Sequence, residues 1–329
     1  MEANIDIIHP ASGRAIGNVA QRLLAANMDV NALRTNAVLP LEVWKEMDKA
    51  VLKAARYRMP IVGDLIQRGL VYPLKNALGK TVLQYQKMSD IADAALDMDA
   101  LSETIKDRPA FTWGYLPIPI CHADFDISAR DLAASRNDGQ PLDTTMIELA
   151  TRKVAEKIEK ILISGSSTFT FGGGVIYGLH DFTPAATGSL VHHWDETTAT
   201  GDTILNDVAF MKAAINAKKH YGPFALYVPT AFDPKLDKPF NAYTGTTIRE
   251  QILKVDGIVS IKVADYLPAD HVAMVELEAS TIRIIEGFQP MPVEWESKGG
   301  LNNHYKVIAI MVPQLRADVD SNTGIAVYS

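Results

Sequence analysis

Only one cysteine, Cys121, occurs in the 329 residues, which excludes an internal disulfide and a multi-cysteine metal site and fits a reducing compartment. Cys121 is expected to be a core residue. No uninterrupted apolar run approaches the ~20 residues that a membrane-crossing helix needs. Residues 1–19 show neither a basic n-region followed by an apolar run nor a cleavage signature. A cytoplasmic product without membrane association is therefore expected. Positive charge is not in excess either: the formal net charge is -7, which argues against general affinity for the outside of a duplex.

The motifs of site chemistry are also missing. The sequence holds no GxSxG, no HExxH, no kinase set and no dinucleotide fingerprint. His192 and His193 are adjacent and do not share a ligand face, so they read as loop histidines in solvent. The run Gly172-Gly173-Gly174 lacks the GK[ST] ending of a phosphate cradle and reads as a flexible loop. Asp124 and Asp126 read as solvated carboxylates flanking strand positions, and Glu294-Trp295-Glu296 as outward charges around an inward Trp. No catalytic, cofactor-binding or metal-ligating residue is assigned, and neither an enzymatic activity nor a cofactor is expected.

What the chain does contain is structure, stated most plainly over 143–165. Ile147, Ala150, Val154, Ile158 and Ile161 recur at helical spacing and form one apolar stripe, with Ile158 in its middle and Lys157 on the wet side. Thr145 and Glu148 form a candidate capping box, Gly165 is placed to close the helix, and Glu148/Arg152 and Glu156/Lys160 are i,i+4 pairs. Before it, residues 1–36 read as an arm with a short helix over 15–28, and 39–59 as a helix anchored by Trp44 and ended by Pro60. Residues 61–88 read as extended segments forming a long hairpin around 76–79, too poor in large apolar residues to hold itself in water and so expected to lean on another subunit. Residues 91–105 read as a helical or irregular return, 110–127 as strand and 130–136 as a short helix.

After the long helix, Asp202 is the expected cap of a second helix opening an α/β segment. That segment has a strand at 225–228, a helix at 247–255, a strand at 258–263, and a strand pair at 272–277 and 282–285. The strands at 291–297, 305–316 and 325–328 have no partner of their own and are expected to return to those near 110–127.

This order of elements resembles the HK97-type shell fold of tailed-phage major capsid proteins and encapsulins. Gly173-Gly174-Val175-Ile176-Tyr177-Gly178-Leu179 is similar to the glycine-rich connection that follows the spine helix in encapsulin-like shells. The resemblance implies an α+β, HK97-like capsid fold with an N-terminal arm and helix (1–60), an E-loop (61–107), a peripheral domain built on the spine helix (108–200, with returning strands 288–329) and an inserted axial domain (201–287). It further implies a structural major capsid protein that self-assembles as hexamers and pentamers into an icosahedral head enclosing the double-stranded DNA of a tailed phage. The alternative is an encapsulin nanocompartment enclosing cargo enzymes; an α/β enzyme using the 202–287 lobe lacks any supporting constellation.

The implied partners are neighbouring capsid subunits, with portal, scaffolding or decoration proteins, and DNA held without sequence specificity. The implied location is the virion, assembled in the host cytoplasm. Residues 1–36 lie ahead of the part similar to encapsulins and favour the phage reading. Some shells of this kind join an E-loop lysine to an asparagine; Lys75, Lys80 or Lys87 and Asn322 are the residues in question, although solvated lysines are the ordinary reading of an exposed hairpin.

Overall fold

The long helix forms where its stripe predicts. In the computed structural model, which describes residues 41–89, 94, 96, 98, 108–128, 145–241, 243, 245–297 and 302–329, it belongs to the first of two units. The first unit draws its described residues from 1–81, 118–162 and 284–312, and the second from 82–117, 163–283 and 313–329. The readings at 1–36, 91–105 (apart from 94, 96 and 98) and 130–136, and the side chain of Trp44, lie outside the described residues.

In the first unit, α1 (Leu41–Arg58) and α2 (Pro60–Gln67) are followed by β1 (Val71–Pro73), β4 (Cys121–Ser128), α3 (Thr145–Ser164), β11 (Ile282–Ser297) and β12 (Asn302–Leu315). The strands form one sheet in the order β1-β11-β12-β4. Ile147, Val154, Ile158 and Ile161 of α3 are buried, as the stripe requires, and Lys157 is exposed. Thr145 is itself helical rather than the cap. Gly165 does close the helix, at φ +65°. The ion pairs differ from expectation: Glu156 takes Arg152 at 3.5 Å and Lys153 at 3.0 Å, both surface contacts of small weight.

Residues 60–67 are helical, not extended. Pro60 ends α1 but is equally suited to the first turn of a new helix, where its missing N–H costs nothing. The N-terminus of α2 has no side-chain cap of its own; the carboxylate of Glu159, itself buried in α3, accepts from Ile61 N at 3.0 Å and Val62 N at 3.2 Å. Two orphan backbone donors and a helix dipole are thereby satisfied in the interior. Glu159→Ala would leave both donors buried without that acceptor and should cost about 2–4 kcal/mol in urea unfolding, with Glu159→Gln intermediate. An unchanged midpoint for both would show that this cap contributes nothing.

The expected hairpin between 71–74 and 81–86 does not exist. β1 pairs in parallel with β11, Val71 opposite Ile284 and Pro73 opposite Glu286, and a 3-10 turn at Ala77–Gly79 separates it from the next strand, β2 (Val82–Met88). A Cβ on Gly287 would fall 2.4 Å from that of Ala77, so only glycine lets the turn lie against β11. β12 pairs with β4 from Asn302 opposite Ser128 to Ala309 opposite Cys121, as expected for a returning strand. Between these strands Phe125 and Tyr305 stack at 5.2 Å.

Glu294 and Trp295 reverse the expected alternation. Glu294 is buried and accepts from the Tyr305 hydroxyl at 3.3 Å, while Trp295 is half-buried against His304. A buried tyrosine hydroxyl asks for an acceptor, and that requirement overrides the hydropathy of the two side chains.

The second unit is built on a five-stranded sheet, β7-β13-β10-β8-β9, comprising β7 (Ala186–Gly188), β8 (Phe224–Val228), β9 (Ile258–Val263), β10 (Val272–Glu276) and β13 (Ile325–Tyr328). Its helices are α4 (Gly201–Asn216), α5 (Asp233–Leu236) and α6 (Ile248–Leu253), and its core joins Ile204, Val208, Met211 and Ile215 of α4 to Phe224, Leu226 and Val272. Thr200, not Asp202, caps α4 in a capping box with Thr203. Asp202 sits in the first turn, where its charge suits the dipole.

β10 does not pair with β11 but with β8 and β13, and β13, the last strand, joins this sheet rather than returning to β4. Trp194 is fully buried and donates to Asp207 at 2.9 Å, which also accepts from Val191 N. The neighbouring His192 and His193 are exposed, as expected.

Candidate assembly surface

Two small ribbons complete the second unit: β2 (Val82–Met88) with β3 (Phe111–Pro117), and β5 (Ser166–Phe171) with β6 (Gly174–Ile176). In the first, Gln84, Gln86 and Met88 stand opposite Tyr115, Trp113 and Phe111. Residues directly opposite in an antiparallel pair share a face, so these six side chains lie together. The other face carries Leu83, Tyr85 and Lys87 opposite Leu116, Gly114 and Thr112.

The two faces have different fates. Leu116 is buried, and the Tyr85 ring lies across Gly114, where a Cβ would come within 2.5 Å of Tyr85 Cζ. Burial pushes the Tyr85 phenol above its ordinary pKa, Arg316 pulls it back and Tyr177 adds to the rise. On the opposite face Phe111 is 57% exposed, Trp113 54%, Met88 56% and Tyr115 38%. Four large apolar side chains on one ribbon face in contact with water make a surface left uncovered among the described residues.

The second ribbon supports the first. Gly172 and Gly173 both have positive φ, and Phe171 pairs with Gly174, which makes a two-residue hairpin turn rather than a flexible loop. A Cβ on Gly174 would meet the Tyr115 carbonyl oxygen at 2.3 Å, and one on Gly172 would meet Val82 at 2.5 Å. The triple glycine is thus explained by close approach to the β2–β3 ribbon, not by a ligand. Phe169 and Phe171 of β5 are exposed as well.

Lys75 and Lys80 are exposed, and Asn322 donates its side-chain amide to Asp318 at 2.8 Å. Asp124 pairs with Lys306 at 3.2 Å, and Cys121 is buried, its thiol pushed up by burial against a weaker pull from Lys157. Among the described residues no three His, Cys, Asp or Glu side chains could hold a metal ion, and no helix is long and apolar enough to cross a membrane. The aromatic face was legible in principle, since Phe111, Trp113 and Tyr115 alternate with Thr112 and Gly114 at a period of two. What sequence could not provide was the partner strand.

The fold is the HK97-like fold of capsid and shell proteins. It matches the virus-like particle from Pyrococcus furiosus with a TM-score of 0.60 at 15% identity, over 88% of this chain and 100% of that one. It matches the capsid of Myoviridae phage XM1 equally, TM-score 0.60 at 10% identity, over 80% of this chain and 90% of that one. In sequence, the chain is 24% identical over 223 residues to the type 1 encapsulin shell protein EncA of Myxococcus xanthus (strain DK1622), covering 66% of this chain and 70% of that protein. The chain belongs to the family of unknown function DUF6260, whose model matches residues 31–328.

Proposed function

We propose that the protein is the structural subunit of an icosahedral shell, and specifically a major capsid protein whose copies enclose the double-stranded DNA of a tailed phage. The observation that carries the assembly reading is the uncovered aromatic face of the β2–β3 ribbon on an HK97-like fold. A two-stranded ribbon is marginal in water, and a second copy that covers Phe111, Trp113 and Tyr115 supplies what the ribbon lacks. The shell role is mechanical, without catalysis.

In this reading residues 1–60 are the arm and helix, 61–107 the E-loop, 108–200 with 288–329 the peripheral domain and 201–287 the axial domain. The β3 strand that completes the ribbon falls just past the E-loop boundary. Thirty-six arm residues at about 3.3 Å each when extended could cross a neighbouring subunit. The net charge of -7 suits DNA that must slide and repack rather than adhere. Hexamers and pentamers, portal, scaffolding or decoration partners, assembly in the host cytoplasm and residence in the virion follow from the same reading.

The similarity to EncA favours a second reading, a nanocompartment enclosing cargo enzymes. Size exclusion and electron microscopy of the protein purified from its source test both. Hollow-walled particles containing nuclease-protected double-stranded DNA are expected. Particles filled with one enzyme and no nucleic acid would establish the nanocompartment instead, and a monomer at all concentrations would end the shell reading.

A further inference from the structure

The outward face of the first unit's sheet carries a row that no shell role requires. Asp126, His304 and Ser297 lie on three successive strands, β4, β12 and β11, with His304 directly opposite Asp126. His304 Nδ1 is 2.5 Å from Asp126 Oδ1, and His304 Nε2 is 2.6 Å from Ser297 Oγ. A carboxylate only accepts, so Nδ1 carries the proton in the neutral ring and Nε2 presents its lone pair to the Ser297 hydroxyl.

The ring is also fixed in plane. Trp295 stacks on it, with centroids 5.3 Å apart and planes 16° from parallel, and the Lys306 ammonium lies 5.5 Å from the Trp295 centroid. Asn302 Nδ2, 3.5 Å from Nε2, places an amide donor beside the same nitrogen. Carboxylate, imidazole and hydroxyl are therefore joined in the order that turns a serine into a nucleophile: the imidazole takes the hydroxyl proton and the carboxylate holds the ring and its charge.

We propose that Ser297 is a covalent modification site, activated by His304 and positioned by Asp126, that accepts one acyl group per chain from an activated ester. In the step, Ser297 Oγ bonds to the acyl carbon and its proton passes to His304 Nε2. The ester carbon–oxygen bond breaks, and the leaving alcohol departs with the bonding pair and takes the proton from Nε2. Asp124 and Asp126, each about half exposed beside the row, outnumber the one Lys306 ammonium there, which pairs with Asp124, and so disfavour an anionic donor; the acyl group is neutral.

The test is p-nitrophenyl acetate on the full-length chain, read by intact mass and peptide mapping, with the urea-unfolded chain as reference. One acetyl group on Ser297, added at least ~100-fold faster than to the unfolded chain, is expected. Ser297→Ala should take none at that peptide, and His304→Gln should slow the reaction by a similar factor. Asp126→Asn should slow it and Asp126→Glu should restore part of the rate, which a merely structural carboxylate would not do. Acetylation of Ser297 no faster than in the unfolded chain, or a rate that His304→Gln leaves unchanged, overturns the proposal. Should His304→Gln fail to fold, as judged by circular dichroism, the comparison of native with unfolded wild type and Ser297→Ala decides alone.

Discussion

Replacing Phe111, Trp113 and Tyr115 together by serine is expected to leave a folded chain that no longer forms particles. The three side chains stand on the uncovered face of the ribbon, so the isolated chain loses little by their removal. Each large aromatic carries ~150–250 Å², and with about half of that already covered, roughly 300 Å² remain for a neighbour to bury, worth about 7 kcal/mol at 25 cal/mol per Å². A closed shell repeats that contact at every subunit, so even half the loss shifts assembly completely. The measurements are particle yield by sedimentation and midpoint of unfolding by circular dichroism. Normal particles from the triple variant would show that this face is not an assembly element. Deleting 71–84, a natural choice if those residues formed a hairpin, would instead remove β1 from the β1-β11-β12-β4 sheet and destroy the fold it was meant to spare.

Ile158→Asp should yield insoluble or unfolded protein, whereas Lys157→Asp should express and unfold like the wild type. Ile158 is fully buried in α3, between Ala155 and Leu162, which are buried too. A carboxylate there must either shed its charge or lose its hydration, at a cost of several kcal/mol. With a total stability of roughly 5–15 kcal/mol for a domain, that is a large share. Glu159, one residue away, is tolerated in the same interior because its carboxylate meets two backbone N–H groups. The contrast between adjacent positions makes the point that a buried charge is decided by its partners. Equal solubility of the two variants would refute the assignment of the buried face.

The expectations that succeeded and those that failed divide by range. Two histidines beside a buried tryptophan look alike in sequence, but Asp207, thirteen residues on, chooses Trp194 for the interior by accepting its indole N–H. The triple glycine reads in sequence as a flexible loop; the structure makes it a tight turn, and the carbonyl of Tyr115 shows why a Cβ is not tolerated there. The row Asp126–His304–Ser297 has no spacing that a motif could capture, since its members are 178 and 7 residues apart and meet only through strand register.

By itself the sequence determined the long helices α1, α3 and α4 with their periodic stripes, the closing Gly165 and the strands of the α/β segment, because each depends on residues a few positions apart; the order of these elements and the lack of a basic excess were legible as well. Only the tertiary structure decided that residues 71–73 pair with β11, that β2 finds its partner in β3, that the last strand joins β10, and that Glu294 turns inward while Trp295 turns out. Strand pairing is satisfied by any complementary edge, and a one-residue change of register exchanges the faces of a strand. Which edge and which face are settled by the competition for burial and hydrogen bonds across the folded chain, and no local pattern records its outcome.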